Sequence, residues 1–196
     1  MGCSSSSALH YGVPHLKGPS SDCIVLRHEK SCSNGGRNPP EVLTVQQKDM
    51  VQRSWATVMR RDLTAVGMLL FKNLFQQEPR IMTLFSLEAS DDEDLEQNLR
   101  LRLHAARFMQ AVGAVIDNLQ TPNDKLSALL SDIGERHSHL HSFHHEYFRA
   151  FREAFLTTLE HSLGKDRFKG ELRAAWDSVI GFMTREMNHG HKEIRI

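Results

Sequence analysis

The stretch LRLHAARFMQAVGAVIDNL, residues 101–119, decides the class of this fold. Leu101, Phe108, Met109, Val112, Val115, Ile116 and Leu119 recur at the three- and four-residue spacing of one helical face. The spacing predicts a long helix over about 97–119, and Thr121-Pro122-Asn123-Asp124 breaks it. One member of the apolar periodicity is out of character. His104 sits on this helix with Phe108 one turn on. A lone histidine in such a place is more often a satisfied core residue than a ligand.

The same period continues on both sides. Thr44 and Gln47 fit a capping box, and Val51, Trp55, Val58 and Met59 follow on one face. Val66, Leu69, Leu70, Leu74 and Phe75 form a second stripe. Pro79 suits the first turn of a short helix, and Ile81–Leu87 is apolar. The acidic segment ASDDEDLE, residues 89–96, reads as a solvated loop. Downstream, Lys125–Ile133 is short and amphipathic. Tyr147–Leu163 carries Phe148, Phe151, Phe155, Leu156 and Leu159, and Gly164 suits a C-terminal cap. A last helix over about 168–188 holds Leu172, Trp176, Val179, Ile180, Met183 and Met187. No segment alternates at period two over a useful length. The class is all-α, with about six to eight helices in a domain spanning residues 43–188 and a short C-terminal tail, residues 189–196.

Composition agrees with one helical domain. The 196 residues are 40% hydrophobic, enough for a core. Lys plus Arg and Asp plus Glu are both 24, and a net charge of zero argues against a nucleic-acid partner. No run approaches the roughly 18 apolar residues of a spanning helix. The first residues lack the apolar centre of a secretory signal. The cysteines, Cys3, Cys23 and Cys32, all precede the domain, so no disulfide framework holds it and a reducing compartment suits it.

Residues 1–42 read as a flexible tail. The first 40 residues hold four of the six prolines, five of the twelve glycines and eight serines, without helical or strand period. The tail begins MGCSSS. Gly2 after the initiator Met and Ser6 fit N-myristoylation, and Cys3 beside them can take a palmitoyl thioester. One acyl chain binds a bilayer only marginally, and two hold it stably. Dual acylation at Gly2 and Cys3 predicts a protein lipid-anchored to the cytoplasmic face of the plasma membrane. Without lipid, the segment is a Ser-rich flexible start. Cys23 and Cys32 can pair with each other or remain free thiols.

Twelve histidines is an abnormal count. His10, His15, His28, His189 and His191 fall in the tails and read as idle, and His161 lies on a polar face. HSHLHSFHH, residues 137–145, offers two readings. If helical, His137, His141 and His144 or His145 share a face, where zinc or copper could bind. The other reading is an exposed, histidine-rich helix end. A second arrangement involves His104. Inward histidines on separate helices, with aromatic residues between them and no cysteine, are what an axially ligated haem needs.

Several motifs together resemble the globin family over about residues 43–188. QRSWATV carries the globin tryptophan as Trp55. In LLFKNLFQQEP followed by RIMTLF, Pro79 precedes Phe85 by six residues, as the globin proline precedes the phenylalanine packed on haem. LRLHAARFMQAVGAVIDNL resembles the distal helix and places the distal histidine at His104. SALLSDIGERHSHLHSFHHEYFRAFREAFLTTLEHSLG resembles the proximal helix, its corner and the following helix, and places the proximal histidine at His137. RAAWDSVIGFM around Trp176 is similar to the terminal helix of neuroglobin-type proteins. The spacing of 33 residues between His104 and His137 is close to that of neuroglobin and cytoglobin. With its acylatable start, the chain most resembles the membrane-bound globin X branch.

The resemblance implies a globin fold and one non-covalent haem b, with His137 and His104 as iron ligands. Phe85, Phe108 and Phe71 would line the haem pocket. Arg107 and His141 are the best partners for the propionates, ahead of Arg102 and Arg100. Implied ligands are oxygen and other small gaseous or anionic molecules, and an electron-transfer partner would serve a redox role. Three functions stay open: a membrane-tethered haem redox protein with an activity such as nitrite reduction or protection from reactive oxygen species, an oxygen store or carrier, and a lipidated helical adaptor without haem. Tethering favours the first, because a store gains from diffusing freely.

Overall fold

The computed structural model describes residues 43–87, 92–120 and 124–192, and the tail carrying Gly2 and Cys3, with Cys23 and Cys32, lies outside them. Seven α-helices and one 3-10 helix make up the described residues: α1 (Val45–Val58), α2 (Leu63–Gln77), the 3-10 helix (Pro79–Phe85), α3 (Asp92–Gln97), α4 (Leu99–Asp117), α5 (Asp124–Ser138), α6 (Tyr147–Leu163) and α7 (Gly170–Lys192). The all-α expectation holds.

Local chemistry sets the helix starts. Thr44 Oγ1 accepts from the Gln47 amide at 3.2 Å while Gln47 Oε1 accepts from the Thr44 amide at 2.9 Å, the reciprocal box expected there. The Asp62 carboxylate accepts from the Thr64 and Ala65 amides at the head of α2. Asn98 Oδ1 accepts from the Leu101 amide at 2.8 Å and starts α4 two residues later than the periodicity suggested. Pro79 opens the 3-10 helix.

The apolar stripes meet in one core. Helix α2 packs between α4 and α6, while α7 packs against α1, α5 and α6. Trp55 and Trp176 meet at 6.0 Å between ring centroids, and the Trp176 indole donates to Ser54 Oγ at 2.8 Å. Asn73 donates to Thr158 Oγ1 at 2.9 Å and ties α2 to α6. Among the described residues no helix is long and apolar enough to cross a membrane.

Four expectations need correction. Met59, expected inward, caps α1 and is exposed, because the helix ends at Val58. Asp92–Gln97 of the acidic segment forms a short helix rather than a loop. The final helix starts at Gly170 and runs to Lys192, past the boundary drawn at 188. His191, read as idle, is buried in its last turn, where its ring meets Phe143 at 5.5 Å and Phe148 at 6.4 Å.

Helix α5 packs extensively on α7 alone. The contact is backbone on backbone. A Cβ on Gly134 would fall 1.8 Å from the Met187 carbonyl oxygen, and one on Gly190 would fall 1.9 Å from the Ser131 carbonyl oxygen. Gly134→Ala should therefore destabilise the fold by about 3 kcal/mol, an overpacking cost that no side-chain rotation relieves. Gly113→Ala meets nothing closer than Trp55 Nε1 at 3.7 Å. It should be neutral or stabilise α4 by up to about 1 kcal/mol. Urea unfolding of the two variants checks this; equal stabilities would refute the α5–α7 crossing.

Candidate functional site: an apolar cavity between two histidines

A cavity of about 580 Å³ opens between α4 and α5 and is floored by α2, the 3-10 helix and α6. Its size and apolar walls are those of a cofactor site. His104 enters from α4 and His137 from the last turn of α5, and their ring centroids stand 6.1 Å apart.

Each ring is held by aromatic neighbours. His104 meets Phe71 and Phe85, each at 5.4 Å between centroids. His137 meets Phe143 at 5.0 Å and Phe148 at 6.1 Å. The backbone also holds His137, whose Nδ1 lies 2.7 Å from the Ile133 carbonyl oxygen. A carbonyl only accepts, so Nδ1 carries the proton and the lone pair is left on Nε2.

Both imidazoles are neutral at pH 7. Burial pushes His104 down to about 4, with smaller contributions from the charges of His137, Arg107 and Arg100. Burial also lowers His137 from its ordinary value, and the Ile133 hydrogen bond opposes this. Two neutral imidazoles 6.1 Å apart in an apolar cavity suit a metal centre.

The sequence-predicted residues separate into those the cavity gathers and those it does not. Phe71, Phe85, His104, Arg107, Phe108 and His137 all line it. Phe108 lies away from the histidines, with its ring against Phe151 at 5.1 Å and Phe155 at 5.7 Å. Crowding around His104 therefore comes from Phe71 and Phe85. His141 is exposed and is not a lining residue, because α5 ends at Ser138 and the chain turns through Ser142 at φ 77°. That turn also removes the metal-binding reading of HSHLHSFHH, whose histidines do not share a helix face. No group of three or more His, Cys, Asp or Glu suited to a metal occurs among the described residues. Arg102 gives Nη1 to the Glu96 carbonyl at 3.2 Å and stays out of the cavity, whereas Arg100 lines it.

Arg136, Phe143 and Phe148 are among the lining residues that were not read as site residues from the sequence. Arg136 is exposed and stands at the mouth with Arg100 and Arg107. Its place immediately before His137 was a usable signal. Phe143 and Phe148 touch His137 only because of the turn after α5, which periodicity does not show.

The cavity accepts haem on its own geometry. A metal–imidazole bond is about 2 Å, and two such bonds plus the half-widths of two rings separate ring centroids by about 6 Å. The observed 6.1 Å agrees. The aromatic walls suit a porphyrin, and the three arginines at the mouth suit its two carboxylates.

Comparison with known proteins agrees with the site. The sequence pattern of the family described as Globin matches residues 69–187. Cytoglobin-2 of Danio rerio is 27% identical over 161 residues, covering 81% of this chain and 88% of the relative. Neuroglobin-1 of Oncorhynchus mykiss is 26% identical over 155 residues, covering 76% and 93%. A crystal structure of a hexacoordinated haem protein from an anhydrobiotic tardigrade superposes with a TM-score of 0.72 at 20% identity, covering 80% of this chain and 99% of that one. The chain belongs to the globin family, is similar to its cytoglobins and neuroglobins, and binds haem b and small gaseous ligands as globins do.

Proposed function

We propose that this globin holds haem b between His137 and His104, with both imidazoles on the iron, and serves a redox role at a membrane. The observation that carries the reading is the 6.1 Å between the two rings. The tardigrade protein of similar fold is itself described as hexacoordinated. Haem b, when bound, supplies an iron that takes diatomic ligands and exchanges single electrons.

This chain's residues set the terms of that chemistry. His137 is the proximal ligand, its tautomer and orientation fixed by Ile133 and its ring caged by Phe143 and Phe148. His104 is the distal ligand, held edge-on by Phe71 and Phe85. With haem bound, His104 would compete with outside molecules for the same position, and apparent affinity would fall in proportion to the open fraction. Two imidazoles held by their aromatic neighbours would leave little to reorganise around a haem that exchanges an electron, which favours a redox role over oxygen storage. Arg100, Arg107 and Arg136 would hold the propionates at the cavity mouth. Phe71 and Phe85 would limit water on the His104 side of a bound haem.

The tether belongs to the same proposal. Myristoylation of Gly2 and palmitoylation of Cys3 would hold the domain at the cytoplasmic face of the plasma membrane. A tether places electron transfer, nitrite reduction or removal of reactive oxygen species where lipids need it, near any membrane-bound electron donor.

The absorption spectrum of the ferrous protein tests the ligation. It should be six-coordinate and low-spin, and His104→Leu should make it five-coordinate and high-spin. Carbon monoxide association should then speed up by roughly tenfold or more, since no internal ligand has to leave. A high-spin ferrous wild type would instead favour the oxygen-storage reading.

His137→Ala should lose most of its haem during purification, read as the ratio of Soret to protein absorbance. Full occupancy with an unchanged spectrum would remove His137 from the proximal position.

Membrane fractionation in cells that N-myristoylate proteins tests the anchor. Gly2→Ala should be fully soluble, because the acyl chain needs the glycine amino group. Cys3→Ser should partition weakly, as expected of one chain with an association constant of about 10⁴ M⁻¹. Equal membrane fractions for wild type and Gly2→Ala would exclude the lipid anchor.

A further inference from the structure

A second cavity, about 470 Å³, lies between the first turns of α6 and the C-terminal half of α7. It is lined by charged and polar groups, where the haem cavity is lined by rings. Arg149 and Arg152 of α6 and Arg185 of α7 face it, against the single carboxylate of Glu146. Phe148 is the one residue that lines both cavities, so the two share a wall while their polar groups are separate.

Each arginine keeps donors in reserve. Arg152 gives Nε and Nη2 to Asp177, at 2.7 and 2.6 Å, and its Nη1 has no such partner among the described residues. Asp177 itself is not a lining residue. Nη1 lies over the bare Cα of Gly181, 3.6 Å from where a Cβ would stand. Among the described residues Arg185 gives Nε to Glu186 at 3.4 Å and lies over the Phe182 ring at 5.6 Å, and neither partner is in the lining. Arg149 has no ion pair and no side-chain hydrogen bond among the described residues. Asn188, also in the wall, has a buried Oδ1 without a hydrogen-bond partner.

We propose that this cavity binds a small anion of the phosphate class that retains an O–H. Guanidinium forks take phosphate oxygens in pairs, and three of them here have N–H groups to give. The ligand must also bring a donor, since the buried Asn188 Oδ1 lacks one among the described residues. An ionised carboxylate or a sulfate has none. Hydrogenphosphate, or a phosphate monoester in its monoanionic form, carries both kinds of group. The source is either a free phosphate compound or the phosphomonoester headgroup of a membrane lipid. This inference does not depend on which residues ligate the haem iron.

Gly181 supplies the test. A Cβ there makes an ordinary contact, so Gly181→Glu is tolerated by the helix and drives a tethered carboxylate into the cavity. The full-length, haem-loaded, unacylated chain is titrated calorimetrically with inorganic phosphate, pyrophosphate and sulfate at low salt. Its flotation with phosphatidate vesicles is measured alongside. One-to-one binding of a soluble phosphate, about tenfold or more tighter than sulfate, is expected. Gly181→Glu and Arg149→Gln should each weaken it by about tenfold or more while the haem spectrum and melting temperature hold. Flotation without soluble binding, lost in the same two variants, supports the site and assigns it to a lipid headgroup. No saturable binding to any probe, equal affinity for sulfate, or binding that survives both substitutions overturns the proposal.

Discussion

The place where α5 lies on α7 without side chains between them controls the haem cavity. Helix α5 carries His137, and it packs extensively on no other helix. Gly134 and Gly190 let the two backbones touch, at Met187 and Ser131 respectively. Gly134 is three residues before His137, so the crossing sets how far the imidazole reaches toward α4. His191, one residue beyond Gly190, backs Phe143 and Phe148, the two rings that cage His137. The far end of the chain thus shapes the proximal wall.

Burial does the electrostatic work. A charged imidazole in an apolar cavity is costly, so both rings are driven to the neutral form that donates a lone pair. The Ile133 carbonyl then chooses which nitrogen of His137 is available. The arginines sit at the mouth, where water reaches them and where a porphyrin's carboxylates would emerge. Apolar depth with a cationic rim suits haem, which is apolar along three edges and anionic along the fourth. The other arginine-lined cavity differs: three arginines line it and no pair of histidines faces into it, which is why it calls for a different ligand.

Much of this was legible in the chain. The stripe of Val66, Leu70, Leu74 and Phe75 gave α2, and Thr44 with Gln47 gave the start of α1, because helical period and caps are local properties. His104 and His137 were legible through motif order and spacing. The misses share a cause. Met59 and His141 were placed by continuing a helical period past the point where it governs the side chain, since both lie beyond helix ends. Phe108 lines the cavity as expected, with its ring against Phe151 and Phe155 of α6. Arg136, Phe143 and His191 were overlooked because their value depends on neighbours far away in sequence.

The sequence by itself determined an all-α chain, its family, the two histidines and an acylatable start, since each is written in residue type, period or short-range order. The tertiary structure alone decided that the two imidazoles face each other at 6.1 Å, that Ile133 fixes one tautomer, and that Arg136 rather than His141 reaches the cavity. The reason is physical: ring separation and tautomer depend on how two helices cross, and a crossing is set by contacts between residues more than fifty positions apart, such as Gly134 with Met187.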